Sequence, residues 1–387
     1  MARSVFFLIL GTSLLTFCSF AAPQQSNTSP TVTWEPVPDN QIFPAALLST
    51  VGVSRKPANS QVLCEPHSFA RIRMKSSAPL TRVHVEVKVD GFSELSSCDA
   101  TLENADQAYV VAPTIRWDTR KLASVDQPLP ATVVFNVKAN GVDLGEQTTH
   151  LQVRAVNDVP YRTTDPEGNV RDRSDLFAAF VNENSPVVDQ LLHEALQWHS
   201  IPAFVGYQGK TPDSVRMQVF AVWNALQHRN VKYSSITTPS GFSDKVQSQS
   251  VRFIDQTVRV SEANCVDGSV LFASVLYKIG INPVLVMKPS HMFLGYYLDA
   301  QSRETIQNLE FLETTMMGSG RLIRSVPFSA PNVVRGTPAY SNFMDAVKKG
   351  DEEFRSEVSP KLRENNPRYR IIGIRKARES GINPIPR

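Results

Sequence analysis

Residues 262–299 read EANCVDGSVLFASVLYKIGINPVLVMKPSHMFLGYYLD, and the hydrophobic pattern changes period within them. Asn264 is a good N-cap residue, and Asp267 falls three positions later, in a first turn where a carboxylate suits the helix dipole. Val266, Val270, Leu271, Ser274 and Val275 then recur at helical spacing, and Lys278 with Gly280 closes the helix. The run from Pro283 to Met287 reads as a buried strand, Lys288 to Ser290 as a turn, and the segment opened by His291 as a second strand. A third strand, NLEFLETT over 308–315, follows a polar loop. A helix leading into strands of this kind predicts an α+β domain.

This arrangement puts Cys265 in the first helical turn, where free backbone N–H groups and the positive dipole end stabilise a thiolate. The same N–H groups could hold the oxyanion of a tetrahedral intermediate. Gly268, one turn on, has no side chain and lets another element approach closely. His291 begins a strand beside a turn, a position from which an imidazole can face a cleft. An orienting carboxylate is needed to fix its tautomer. Asp299 shares the strand face of His291 but lies eight residues along, roughly 26 Å away at about 3.3 Å per residue. Glu313 could sit directly across from His291 if the strands opened by His291 and Asn308 are antiparallel neighbours. The candidate constellation is therefore Cys265, His291 and Glu313. A lone cysteine is often a buried core residue, so the compartment matters.

The N-terminus reads MARSVFFLILGTSLLTFCSFAAPQQ, with Arg3, an apolar run from Val5 to Phe20 and small residues after it. This is the pattern of a secretory signal over 1–21, cleaved after Ala21; an uncleaved membrane anchor is the alternative. No later segment is apolar enough to span a bilayer, so a mature, soluble, extracytoplasmic protein, periplasmic or secreted, is expected. Removing Cys18 with the signal leaves Cys64, Cys98 and Cys265, an odd number in an oxidising compartment. Cys64 and Cys98 share a strand-patterned region and could bridge each other. Cys265 is then the leftover thiol.

With 387 residues and 42% hydrophobic residues, the chain can bury two cores. Residues 22–45 are expected as a flexible leader, being rich in Pro, Ser, Asn and Gln up to about position 40. Residues 46–157 are expected as one domain, whose period is two from about Val62 to Val156: Val83, Val85, Val87 and Val89 alternate with Arg82, His84, Glu86 and Lys88, and Asn140-Gly141 signals a type I′ hairpin. Several short strands with such turns predict an antiparallel β-sandwich of immunoglobulin-like kind. Residues 158–175, broken by Pro, Gly and charge, are expected as a linker, and 176–387 as a second, helix-rich domain with a C-terminal extension. Forty basic against 37 acidic residues, a net +3, gives no electrostatic footprint for nucleic acid. His193 and His199 are six apart, about 240° round a helix, so they cannot share a metal from one helix. No cofactor and no metal are expected.

A helix headed by cysteine, a strand headed by histidine and an acidic residue on the next strand together resemble the transglutaminase-like superfamily of papain-like cysteine enzymes. NVKYSSI, residues 230–236, also resembles the helix-to-tyrosine segment upstream of the cysteine in that superfamily. The resemblance covers roughly 212–318. It implies Cys265 as nucleophile, His291 as base and Glu313 in the place usually held by aspartate. Two departures stand out: LETT replaces the usual Asp-Thr phrase, and Met292-Phe293 stands where a tryptophan is common. The implied function is an exported cysteine-dependent hydrolase or acyltransferase acting on peptide, isopeptide or side-chain amide bonds. The alternative is an inactive envelope protein that keeps the fold for binding or scaffolding. The expected partner is a protein or peptide substrate, with no nucleic acid.

Overall fold

The computed structural model describes residues 29–35, 38–50, 61–65, 68–164, 168–235, 243–300, 305–318 and 331–386. The stretch 1–21 read as a signal, with Cys18, lies outside them. Among the described residues the chain is a mixed α and β fold with several sheets.

In the N-terminal half two sheets face each other. One has the order Thr31–Glu35, Arg71–Lys75, Ala108–Ala112, Val62–Cys64; the other runs Gln41–Ile42, Val142–Val153, Leu129–Ala139, Thr81–Val89, Ser96–Leu102. Pairing is antiparallel except where Val62–Cys64 and Gln41–Ile42 join their neighbours. Val83, Val85, Val87 and Val89 are all buried, so the period-two pattern does face a core. The ring of Trp34 stacks on Phe135 of the opposite sheet at 5.6 Å between centroids. A disulfide joins Cys64 in one sheet to Cys98 in the other, with Cα atoms 6.5 Å apart. Asn140 and Gly141 both have positive φ, 48° and 85°, as a type I′ turn requires.

Two expectations about connections need correction. The leader was expected to be flexible through residue 45, yet 31–35 is a paired strand, 41–42 pairs with 152–153, and Pro44–Ser49 is a helix. Trp34 supplies the anchoring apolar surface that composition counting missed. The stretch expected as a linker is also structured: Asp158–Thr164 pairs with Val170–Asp172 on one side and Val246–Ser250 on the other. Pro160 sits at a register shift between Pro160 and Arg162, Arg171 and Asp172 lie on the exposed edge strand, and the buried Asp158 is neutralised by Arg154 at 2.7 Å.

The C-terminal half is built on a four-stranded antiparallel sheet ordered Leu309–Leu312, His291–Tyr297, Pro283–Lys288, Arg370–Gly373. Its strands are apolar on both faces because both faces are covered. Leu285, Leu294, Tyr296 and Leu312 pack toward the helix Cys265–Lys278 and the main core. Val284, Val286, Phe293 and Phe311 pack with Phe354 and Val358 on the other side. The helices Pro212–His228 and Pro338–Glu353 enclose the main core around the fully buried Trp223, Phe272 and Phe343. Gly350 lets the second of these helices lie directly on the backbone of Phe311 and Leu312; a Cβ there would meet both at 2.8 Å. The basic tail is used internally: Arg378 donates to the carbonyls of Ala178, Val181 and Ile382, and Arg370 pairs with Asp172. No described helix is long and apolar enough to cross a membrane.

Candidate active site

The helix Cys265–Lys278 starts as its sequence predicts. Asn264 Oδ1 accepts from the N–H groups of Val266 and Asp267, both at 2.9 Å, and Asp267 Oδ2 accepts from Asn264 N at 3.3 Å, a complete capping box. Asp267 is itself buried and accepts from Arg252 N at 2.8 Å. Burial pushes its carboxyl up, against the pull of those N–H donors and the Arg252 charge. It is an anchor for the helix start, not a member of the reacting set. The cap also corrects the expectation of several oxyanion donors: two of the first-turn N–H groups are taken by Asn264. The Cys265 N–H is left without an acceptor among the described residues.

Cys265 is free and half-buried. Gly268 allows the turn Thr314–Met316 to press against the helix, with Thr314 Oγ1 3.1 Å from where a Cβ would stand. That turn fixes the third member of the site. The His291–Tyr297 and Leu309–Leu312 strands are antiparallel neighbours, but Leu294 pairs with Leu312, so an extended ladder would put position 315, not 313, across from His291. The strand instead ends at Leu312, and Glu313 caps the short 3-10 turn. Glu313 Oε1 accepts from Thr315 N at 2.9 Å and from Thr315 Oγ1 at 2.7 Å, which aims Oε2 back at His291 Nε2, 2.7 Å away.

Nε2 of His291 is committed to Glu313, and the Cys265 thiol lies near enough to the ring to act on its protonation. Burial lowers the ring's affinity for a proton, but the hydrogen bonds and negative charges of Cys265 and Glu313 outweigh it and push His291 up to about 10. Burial likewise works against the Glu313 carboxylate; the imidazolium bond and charge, with the two Thr315 donors, hold it below its ordinary value. The site is thus built to keep imidazolium next to carboxylate. Asp299, set aside on distance, is no part of it.

Tyr233 stands beside the thiol. The strand Lys232–Tyr233 runs parallel to Glu262–Ala263, with Tyr233 opposite Ala263, two residues before the cysteine. Tyr233 is 45% exposed, and burial followed by the charges of Cys265 and Glu313 raise its hydroxyl. On the other flank of His291 opens a cleft of about 650 Å³, lined by Lys288, Glu313, Met316, Lys349 and Glu353 among others. Glu353 and Lys288 were not foreseen, because nothing in a helical pattern 40 residues downstream of Glu313 marks which of its carboxylates turns inward. His291 Nε2, Glu313 and Glu353 offer donor atoms within 4.8 Å of one another, close enough for a cation. Lys288 Nζ already stands 3.0 Å from the Glu353 oxygen and supplies that positive charge itself. Neither histidine of the His193–His199 pair belongs to this group: His193 bonds Gln197, and His199 lies beyond the end of its helix.

No protein-family model matches the chain, and no curated protein matches it.

Proposed function

We propose that the chain is an exported, transglutaminase-like cysteine hydrolase or acyltransferase that acts on peptide, isopeptide or side-chain amide bonds. The observation that carries this reading is the 2.7 Å hydrogen bond that holds the His291 ring on Glu313 beside the free thiol of Cys265, which sits at a helix start and helps raise the ring. In this reading Cys265 sulfur attacks the amide carbonyl, and the Cys265 N–H stabilises the oxyanion that forms. The imidazolium of His291 gives its Nδ1 proton to the departing amine, leaving a thioester. Water then attacks the thioester, His291 takes a proton from it, and the acid leaves with the thiol restored. An amine in place of water would give cross-linking; hydrolysis is favoured because export supplies water freely.

Residues 1–21 act as a cleaved signal in this account, which places the protein outside the cytoplasm. The Cys64–Cys98 disulfide supports that placement, since such bonds persist in oxidising compartments. The N-terminal pair of sheets is read as an immunoglobulin-like sandwich that presents the catalytic half to a protein or peptide substrate. Hydroxylamine trapping tests the reaction class: with peptide amide donors, the acyl-enzyme should yield hydroxamate in the native protein and none in Cys265→Ala. Equal hydroxamate in both would end this reading.

A further inference from the structure

The helix Pro338–Glu353 does not end cleanly. It runs into a π turn, Phe354–Val358, an irregularity that recurs at functional sites. The turn packs through Phe354, whose ring stacks on Phe311 at 3.9 Å between centroids. It also brings Glu353 and Glu357 to one ammonium: Lys288 Nζ lies 3.0 Å from Glu353 and 2.7 Å from Glu357. Lys288 is the register partner of His291 across the strand pair, so this cluster is tied to the catalytic ring by the backbone as well.

The Glu353 oxygen that meets Lys288 is also 3.8 Å from His291 Nε2. That is too long for a hydrogen bond but well within reach of a charge interaction. The side chain of Glu353 is 11% exposed, so water screens it little. His291 Nε2 therefore faces two carboxylates, one bonded and one near. Two lysines stand behind the second: Lys288, and Lys349 at 3.4 Å from the other Glu353 oxygen.

We propose that Glu353 is a second positioning residue for His291, acting through its charge to keep the ring protonated and turned toward Glu313, with Lys288 setting the strength of that charge. Glu313 alone is bonded to the ring, and its bond fixes direction. Glu353 adds field without competing for the N–H, because Lys288 holds its oxygen away. The groups facing the ring are then Cys265 from the helix start, Glu313 from the strand end, Glu353 and Glu357 from the π-turn region, and Lys288 from the neighbouring strand. This role rests on reading Cys265, His291 and Glu313 as a catalytic set.

The test is an NMR titration of the His291 ring in the full chain, with its signal assigned by His291→Gln. Glu353→Gln should lower the titration midpoint by about one pH unit, a tenfold loss of proton affinity, as expected for a removed carboxylate at this distance partly offset by a lysine. Lys288→Met should raise it, and serves if Glu353→Gln does not fold. A midpoint that stays within about 0.3 unit of the native value in the folded variant overturns the proposal. Glu313→Gln separates the two claims. If it lowers the midpoint and Glu353→Gln does not, only the role of Glu353 fails. If Glu353→Gln shifts the ring while no hydroxamate forms on Cys265, the positioning role stands and the enzyme reading fails.

Discussion

Glu313 Oε2 lies 2.7 Å from His291 Nε2 although the strand carrying Glu313 has ended one residue earlier. The contact depends on a 3-10 turn in which Thr315 grips the other carboxylate oxygen twice. Orientation of the imidazole thus comes from a capping residue, and only indirectly from strand pairing.

Glu313→Gln keeps the size of the side chain and removes its charge. Hydroxamate formation should fall by about 10²- to 10⁴-fold, the scale seen when the orienting acid of a triad becomes an amide. Circular dichroism should show a native fold. A loss below about fivefold would show that Glu313 does not orient the ring.

The pH dependence of stability has a definite sign. His291 is raised to about 10 from an ordinary 6.5, so its contribution is complete below the unfolded value and disappears as pH rises through about 10. Glu313 is lowered, so its contribution is present above its ordinary 4.5 and is lost as pH falls through the depressed folded value. Thermal unfolding across pH should therefore show an alkaline loss that His291→Gln lacks. A His291-specific loss already complete by about pH 7, with none between there and pH 10, would contradict the raised ring.

Gly350→Ala should destabilise the protein by about 1–3 kcal/mol, the range for overpacking, and urea unfolding reads it directly. The added Cβ meets the Phe311 and Leu312 backbone at 2.8 Å, and backbone yields poorly. The helix must then move off the strand that precedes Glu313. An unchanged midpoint would mean that the close approach is not a constraint.

The Cys64–Cys98 bridge spans 34 positions, a loop whose closure stabilises by about 3–4 kcal/mol in the chain-entropy account. A Cys64→Ala, Cys98→Ala double variant should unfold at lower urea while the Cys265 alkylation rate stays at the native level. A matching fall in that rate would tie the bridge to the site.

Much of the site was legible because it is encoded locally. Asn264 and Asp267 announce the helix start, Gly268 the close approach, and the turn before His291 the ring that faces a cleft. Glu313 followed from sheet geometry, but its register did not: the ladder is offset by two residues, and the 3-10 turn that compensates leaves no period in the sequence. Glu353 and Lys288 were invisible because their meeting depends on a π turn and on Gly350 packing, both tertiary events. The same holds at the N-terminus, where Trp34 orders a strand that Pro and Ser content argued against.

The most direct measurement is alkylation of the native protein by iodoacetamide at pH 7, with the modified residue mapped by mass spectrometry. The account predicts that Cys265 is modified in the folded state and that His291→Ala slows the reaction by at least about tenfold, since the His291 ring is the sulfur's partner in the proposed catalytic set. A Cys265 that stays inert until the protein is unfolded, or that reacts as fast without His291, would contradict it.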